Sequence, residues 1–326
     1  FQIDDDEGEQ LLRCRTQDFL VHGYAGQQAA IGDFRGLLEI GRAQEQGADA
    51  VASVVPELIA DVADLRTSDD VITADLSEGE VTIPQSPAEP IRATATDGTT
   101  FEISLPEAAS ESEAAVDQGS VTYEHGDDSA SVVFVNPDAS VRITSVMDSE
   151  AAPTEFDYTY DGLELVQFDD GGVVGYDQDG NLAVTIALPW ALDSNGAEVR
   201  TWYSVDGSTL TQHVAHRAEG VAYPVVAHPV NYGGNFMYTK ILNTSVSQGT
   251  TIAVYPAALN FFRYSNDAIF ANYKALVPSS YESQKYRDQL ICHVWNAARV
   301  KVPWNLDSWR PNVGYNATVL ALCNPN

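Results

Sequence analysis

Positive charge is scarce in this chain. Only 17 of its 326 residues are Lys or Arg, against 47 Asp or Glu, and the formal net charge is −30. Proteins that bind nucleic acids neutralise phosphates with clustered Lys and Arg, so this composition argues against nucleic acid as a partner. The same excess of negative charge favours solubility and disfavours adhesion to anionic membranes.

Long apolar runs are also absent. No stretch approaches the roughly 18 to 20 apolar residues that cross a bilayer, so we expect no membrane span. Hydrophobic residues at 44% and aromatic residues at 10% are nevertheless enough to build packed interiors. The length predicts two or three domains. Because the chain begins at Phe1 rather than Met, we expect that a preceding segment has been removed.

The common signatures of catalysis and metal binding are missing as well. The chain contains no G-x-S-x-G, H-E-x-x-H, P-loop, G-x-G-x-x-G or C-x-x-C motif. His213 and His216 would face opposite sides of a strand, which disfavours a metal pair. The segment DQDGN at residues 177–181 lacks the later glutamate of a calcium loop and favours a β-turn. We therefore predict no metal and no cofactor, and these absences favour, without deciding, a function that is not enzymatic.

Cysteine is limited to Cys14, Cys292 and Cys323. We predict a disulfide between Cys292 and Cys323, because closing a loop of about 30 residues stabilises a small domain by roughly 3.5 to 4 kcal/mol. Two buried free thiols are the alternative. Cys14 is either buried and free or linked to another chain.

The few positive charges are concentrated near the C-terminus. Residues 1–230 carry 9 Lys and Arg against 43 Asp and Glu, whereas residues 231–326 carry 8 against 4. This change from strongly acidic to slightly basic predicts a domain boundary near residue 230.

Residues 1–67 have a helical pattern. Five apolar side chains recur at steps of four and three and would share one helix face: Val51, Val55, Leu58, Val62 and Leu65. Ser53 is the predicted N-cap, with Pro56 in the first turn. The segment is interpreted either as a small helical hairpin that packs on the next domain or as an oligomerisation helix.

Residues 68–230 change to a period of two. Three strand–turn–strand patterns occur, with turns at Asp97-Gly98, at Asn136-Pro137-Asp138 and within residues 177–181. The acidic stretch at residues 104–120 is expected to be a mobile loop. Short strands with regular turns predict an antiparallel, sandwich-like module.

Residues 231–326 predict a small α+β domain stapled by the disulfide. We expect a strand at TTIAVYP, a helix at NDAIFANYKALV, a strand at QLICHVWNA and a last element ending at Cys323. The predicted fold is therefore multidomain and α+β overall, with a helical N-terminal region at 1–67, a β module at 68–230 and this domain at 231–326.

Two parts of the chain resemble known families. The succession EAAPTEFDYTY, VVGYDQDGNLAV and YPVVAHP, within residues 120–230, resembles a β-rich module of secreted actinobacterial proteins that ends close to YPVVADP, with His228 in place of the usual Asp. The segments YRDQLICHVWNAA, PWNLDSWRPNVGY and ALCNP, within residues 235–326, resemble the family catalogued as domain of unknown function twenty-five ninety-nine. The first resemblance implies secretion and a carrier role, and the second implies no catalytic residues.

The basic tail supplies the candidate site residues. If LICHVWNA is a strand, Cys292 points inward while His293 and Trp295 share the other face. A surface of rings and cations could stack on sugars and hold anions, as in a cell-wall or other anionic polymer. Its predicted members are His293, Trp295, Arg299, Lys301, Trp304, Trp309 and Arg310. Alternatively, Trp304 and Trp309 fill the core of the domain.

Three hypotheses for function remain. The first is a secreted, extracellular or cell-surface protein without enzymatic activity, whose basic C-terminal module serves attachment or self-assembly, including head-to-tail oligomers or filaments. The second is a carrier with a C-terminal antibacterial toxin or wall hydrolase, in which His293, Asp288 and Asp307 would be the acid–base residues. The third is a passive spacer.

Overall fold

A computed structural model describes residues 47–59, 62–68, 71–106, 114–117, 119–297 and 301–326. The chain divides into two units, Phe1–Ala43 and Gln44–Asn326, and all described residues lie in the second. The helical pattern before residue 47, Cys14 and residues 107–113 and 118 of the predicted acidic loop lie outside the described residues. The loop prediction is wrong at Ala115–Asp117, which form a strand.

Strands dominate the described residues, as the alternating sequence pattern predicts. In chain order they are β1 (Leu65–Ser68), β2 (Val71–Ala74), β3 (Glu80–Pro84), β4 (Ile91–Thr94), β5 (Thr100–Ile103), β6 (Ala115–Asp117), β7 (Ser120–Glu124), β8 (Ser129–Val135), β9 (Val141–Met147), β10 (Glu155–Thr159), β11 (Glu164–Gln167), β12 (Val173–Tyr176), β13 (Leu182–Ile186), β14 (Trp190–Leu192), β15 (Thr201–Asp206), β16 (Thr209–Val214), β17 (Val225–His228), β18 (Val230–Gly233), β19 (Tyr238–Val246), β20 (Gly249–Pro256) and β21 (Trp304–Asp307).

These strands form four antiparallel sheets. β1 to β5 form a meander, and β10, β16 and β15 form a three-stranded sheet. The largest sheet has ten strands, with β9 and β8 near its centre and β17 and β18 both paired with β9. A fourth sheet, in the order β19-β20-β21, belongs to the C-terminal region.

The three predicted hairpins are confirmed. β4 and β5 flank a turn in which Gly98 has φ +88°, β8 and β9 flank Asn136–Ser140, and β12 and β13 flank Asp177–Asn181. The Asp177 Oδ1 atom accepts hydrogen bonds from the backbone N–H groups of Asp179 and Asn181 at 2.9 and 2.8 Å. The DQDGN segment is therefore an Asp-anchored β-turn, as its residues predict.

The core of the β module lies between the sheets. Side chains of the meander, such as Ile83, pack with Tyr123 and Ile143 of the ten-stranded sheet and with Tyr158 of the three-stranded sheet, and all four are fully buried. Because alternate residues of a strand face opposite sides, Phe134 and Val146 project to the other face of the large sheet.

The helical prediction for Val51 to Leu65 is wrong beyond residue 54. Residues 47–54 form helix α1, a 3₁₀ turn follows at Pro56–Leu58, and Leu65 already belongs to β1. Proline lacks an N–H and disfavours helical geometry in the residue before it, and Val55 has φ −140° and ψ 68°. Val51, Val55 and Leu58 are nevertheless buried, because they pack against the large sheet.

The C-terminal region adds three helices. They are α2 (Asn266–Lys274), α3 (Gln284–Asn296) and α4 (Tyr315–Leu320), with 3₁₀ turns at Phe261–Arg263 and Ser279–Tyr281. The predicted helix at α2 and the predicted strand at β20 are confirmed. The predicted strand at QLICHVWNA is wrong, because these residues form the second half of α3. No helix among the described residues is long and apolar enough to span a bilayer.

The C-terminal region packs on the β module. Ala268 and Ala271 of α2 lie against Val174 and Leu182 of the large sheet, while the Nδ2 atom of Asn272 donates to the Oγ1 atom of Thr185 at 2.9 Å. Small side chains on this face of α2 allow the helix to approach the strands closely. Residues 231–326 are thus held against the sheet by a tight contact.

Candidate functional site

Helix α3 and strand β21 are joined through polar side chains of the helix. Gln289 accepts a hydrogen bond from the backbone N–H of Asp307 at 2.8 Å, and the Nε2 atom of His293 lies 3.2 Å from the carbonyl oxygen of Asn305. Both side chains are buried. One face of α3 therefore pairs with the β21 backbone, and His293 belongs to that contact.

Burial lowers the pKa of His293 to about 4, because the charged imidazolium would lose its hydration. The neighbouring Lys301 lowers the pKa further, whereas the hydrogen bond to Asn305 and the carboxylate of Asp307 oppose the shift. His293 is therefore neutral at pH 7, and its Nε2–H can donate to Asn305.

The lowered pKa of His293 predicts a loss of stability in acid. The unfolded imidazole takes up a proton near pH 6.5 and the folded one only near 4, so the unfolded state binds more protons between these values. We expect the lowered pKa of His293 to reduce the unfolding free energy by about 2 kcal/mol as the pH falls from 6.5 to 4.5. Urea unfolding of the wild type and of His293→Gln at both pH values measures this loss as a difference. Equal pH dependence in the two proteins would contradict it.

The tryptophans of the tail pack internally. The Trp295 indole N–H donates to the Asn266 side chain at 2.7 Å, and its ring lies 4.9 Å from that of Phe262. Trp304 is buried in the C-terminal core, with its ring 5.8 Å from Phe261. The interpretation in which Trp304 fills the core agrees with this placement.

Of the remaining predicted cations and rings, Arg310 and Trp309 lie beside each other. Arg310 donates to the Asp307 carboxylate at 3.3 Å and to backbone oxygens near the C-terminus, with its guanidinium 5.9 Å from the centre of the half-buried Trp309 ring. Lys301 is exposed, and Arg299 lies outside the described residues. Arg310 therefore links Asp307 of β21 to the last residues of the chain.

The candidate acid–base residues have separate structural partners. Asp288 is buried, and its Oδ1 atom accepts from Gln284 at 2.8 Å. Asp307 accepts from the Thr251 hydroxyl at 2.9 Å and from Arg310. Among the described residues, no hydrogen bond joins His293 to either carboxylate. Each of these groups therefore has a contact of its own within the C-terminal region.

The described part of the chain contains no cluster of three or more His, Cys, Asp or Glu side chains that could hold a metal ion. His213 lies on β16, 2.7 Å from the Ser204 hydroxyl, whereas His216 follows the strand and contacts Tyr223 and the Pro153 carbonyl. The two imidazoles have different partners.

The predicted disulfide is confirmed. Cys292 of α3 is bonded to Cys323, which follows α4, and both residues are buried. The bond joins α3 to the end of the chain and closes a segment that contains β21 and α4.

The most exposed regular element of the C-terminal region is β19. It pairs only with β20 among the described strands, and seven of its nine residues are exposed. Lys240 is its one charged residue, and the exposed apolar side chains Leu242 and Val246 lie on the same face. Edge strands are usually protected by charge, proline or bulges, and residues 241–246 have neither charge nor proline.

Sequence reasoning missed this edge strand. The pattern of residues 241–246, ILNTSV, does not alternate cleanly, and only the partner strand at TTIAVYP was predicted. The two-residue Ser247-Gln248 connection before Gly249 was the available signal, because short loops join antiparallel strands.

Several cations of the C-terminal region have no ion pair among the described residues. Of the acidic side chains in the C-terminal region, Asp267 pairs with Arg287 at 2.7 Å and Asp307 pairs with Arg310. Among the described residues, no carboxylate lies within ion-pair distance of four other cations: Lys240, Arg263, Lys274 and Lys301. The acidic residues 1–230 are therefore followed by a region in which several cations lack an ion pair within the described part of the chain.

Comparison with known proteins bears on this region alone. No curated protein matches the chain. The C-terminal region, from Leu242 in β19 to the last residue, matches the model of the family described as "Protein of unknown function (DUF2599)", over residues 242–326.

Proposed function

We propose that this is a secreted, extracellular protein without enzymatic activity, whose C-terminal region joins copies of the chain. The exposed edge strand β19 carries this proposal. The buried disulfide supports an oxidising compartment, in which such bonds persist. The uneven charge supports an assembly in which the C-terminal regions meet and the acidic bodies remain apart.

The free edge of β19 can be assigned residue by residue. The carbonyl of Thr250 accepts from the backbone N–H of Ser308, so Thr250 directs its backbone groups toward β21. Since hydrogen-bonding direction alternates along a strand, Thr251 and Ala253 direct theirs toward β19. Their partners are Thr244 and Leu242.

The residues of β19 between these partners face outward. The register pairs Ile241 with Val254, Asn243 with Ile252 and Ser245 with Thr250. The backbone groups of these three β20 residues form hydrogen bonds with β21. The N–H and C=O groups of Ile241, Asn243 and Ser245 therefore point to the free side of β19. These three alternate residues of β19 therefore form an edge to which another antiparallel strand can pair.

A second copy of β19 fits this template. A two-fold axis at Asn243 would pair Asn243 with its own counterpart and Ile241 with Ser245, through about six backbone hydrogen bonds. The lysines at position 240 would lie at opposite ends of the paired strands, so no like charges would face each other. Symmetric pairing closes as a dimer and yields a continuous six-stranded sheet.

Asn243→Pro tests this pairing. Proline removes an outward-facing N–H and leaves the hydrogen bonds between β19 and β20 in place, because edge strands tolerate proline on the free side. We expect the wild type and Asn243→Ala to dimerise at about 100 µM in sedimentation equilibrium, and Asn243→Pro to remain monomeric. Circular dichroism checks that the variant is folded.

The salt response distinguishes this dimer from a head-to-tail assembly. Screening reduces repulsion between two acidic bodies, so the symmetric dimer should strengthen between low and physiological ionic strength. A head-to-tail contact between an acidic body and a basic end would weaken. A wild type that is monomeric at all salt concentrations, or a folded Asn243→Pro variant that dimerises normally, would contradict the proposal.

A further inference from the structure

A small cavity lies between the β module and the C-terminal region. It has a volume of about 190 Å³, and its walls come from the segment before β14, from β17 and β18, and from the 3₁₀ turn at Phe261–Arg263. The walls include Pro189, Trp190, His228, Val230, Phe262 and Arg263. The cavity is separate from the outer edge of β19.

The imidazole of His228 lacks hydrogen-bond partners in this wall. The residue is only 2% exposed, and neither ring nitrogen has a partner among the described residues. Its ring lies edge-on to Trp190, with centroids 4.1 Å apart. A buried polar group without a partner is destabilising, so a native structure that keeps one requires an explanation.

Other unpartnered polar atoms lie on the same face of the sheet. The pairs Ala227–Ser145 and Val230–Arg142 place His228 beside the part of β9 that carries Arg142 and Thr144. The Nε atom of Arg142 and the Oγ1 atom of Thr144 are buried without partners among the described residues. Three residues with unsatisfied groups thus lie on one face of the large sheet, and His228 is the one that lines the cavity.

The charge around this patch is positive. Arg142 is buried and donates to the Leu58 carbonyl at 2.7 Å and to the Asn136 side chain at 3.3 Å, without a carboxylate at ion-pair distance among the described residues. Arg263, at the cavity mouth, has no ion pair there either. Asp138 is the acidic side chain that acts on Arg142. Two guanidinium groups without a carboxylate at ion-pair distance among the described residues favour an anion.

The His228 side chain is suited to bind such an anion as a neutral donor. Burial, with the nearby Arg142 and Arg263, holds its pKa well below the usual range. A neutral imidazole retains one N–H donor and one acceptor nitrogen. The group can therefore donate a hydrogen bond to an anion without carrying charge itself.

The size and walls of the cavity restrict the ligand. A cavity of about 150 Å³ can hold benzene, so about 190 Å³ admits one small ring with a polar substituent. Trp190, Pro189 and Phe262 offer apolar contact, and Phe262 is 72% exposed at the opening. A ligand with an apolar ring and one anionic group matches both the apolar walls of the cavity and the positive charge beside it.

We propose that this cavity binds a small organic monocarboxylate. The carboxylate lies beside Arg263 and the His228 ring, and the apolar body lies against Trp190 and Phe262. The site is independent of the edge strand, so dimerisation and ligand binding can fail separately.

Calorimetric titration of the full chain with benzoate tests the site. We expect one benzoate per chain with a dissociation constant below about 1 mM, at least tenfold weaker binding to Arg263→Gln, and unchanged binding to Lys240→Gln. Lys240 is the matched control, because it is an exposed, unpaired cation of the same region that does not line the cavity. Benzamide, which lacks the charge, should bind at least tenfold more weakly than benzoate.

Nitrogen-15 NMR of the histidine side chains locates the ligand. We expect benzoate to shift the ring resonances of His228 and to leave those of His213 unchanged. No benzoate binding at about 10 mM, equal binding to Arg263→Gln and Lys240→Gln, or binding without a change at His228 would each overturn the proposal. Binding of inorganic phosphate in place of benzoate would overturn the assignment of an organic ligand.

Discussion

Reducing the Cys292–Cys323 disulfide should lower the unfolding free energy of the C-terminal region by about 3.5 to 4 kcal/mol. The two cysteines are 31 residues apart, so the bond restricts a long loop in the unfolded chain. It also fixes the end of the chain beside α3, where both sulfur atoms are buried. Few other single contacts in this region are expected to contribute as much.

Urea unfolding with and without reductant measures this contribution. Tryptophan fluorescence is a suitable signal, because Trp295, Trp304 and Trp309 all lie within the closed loop. The double variant Cys292→Ala/Cys323→Ala lacks the disulfide but retains Cys14. Adding reductant to this variant therefore shows any effect that comes from Cys14 alone. An identical unfolding midpoint for the oxidised and reduced wild type would contradict the prediction.

Gly172→Ala should destabilise the contact between α2 and the large sheet by about 3 kcal/mol. A Cβ atom at Gly172 would lie 1.9 Å from the Oγ atom and 2.6 Å from the Cβ atom of Ser265. Ser265 is the N-cap of α2, and its hydroxyl accepts from the backbone N–H of Ala268 at 3.1 Å. The added methyl group must displace this cap or move the helix.

A second substitution provides the control for Gly172→Ala. Ser265→Gly removes the atoms that clash, and glycine as an N-cap costs only a few tenths of a kcal/mol relative to serine. The double variant Gly172→Ala/Ser265→Gly should therefore recover most of the lost stability in thermal unfolding. Additive losses in the double variant would show that the clash with Ser265 is not the cause.

The β module was largely predictable, because its signals are local. Asp97-Gly98, Asn136–Ser140 and Asp177–Asn181 are short turns with residues that stabilise them, and the flanking residues alternate. Each hairpin depends on neighbours in the sequence. The turn residues and the alternation of apolar and polar residues were therefore sufficient to predict these hairpins.

Helix α3 was missed because its buried face is partly polar. Tyr286, Leu290 and His293 are spaced by four and three, but Gln289 and His293 do not register as apolar, although both are buried against β21. The second half, LICHVWN, is rich in residues that favour strands. Contacts with β21 decide the structure here, and they are not visible in the local pattern.

The cavity at His228 could not be predicted for a different reason. Its wall contains His228 of β17 and Arg263 of a 3₁₀ turn, and Arg142 of β9 lies close enough to act on His228. At least 35 residues separate each of the three from the next in sequence. No spacing rule brings them together. Only the pairing of β9 with β17 and the packing of the C-terminal region on the sheet place them at one site.

Amide hydrogen exchange of β19, followed by NMR at increasing protein concentration, tests the role of this strand most directly. The backbone amides of Ile241, Asn243 and Ser245 face the free edge, whereas those of Leu242 and Thr244 are already bonded to β20. Edge pairing predicts that the first three become protected as the concentration rises, and that Asn243→Pro abolishes this change. Fast exchange of these three amides at every concentration would contradict it.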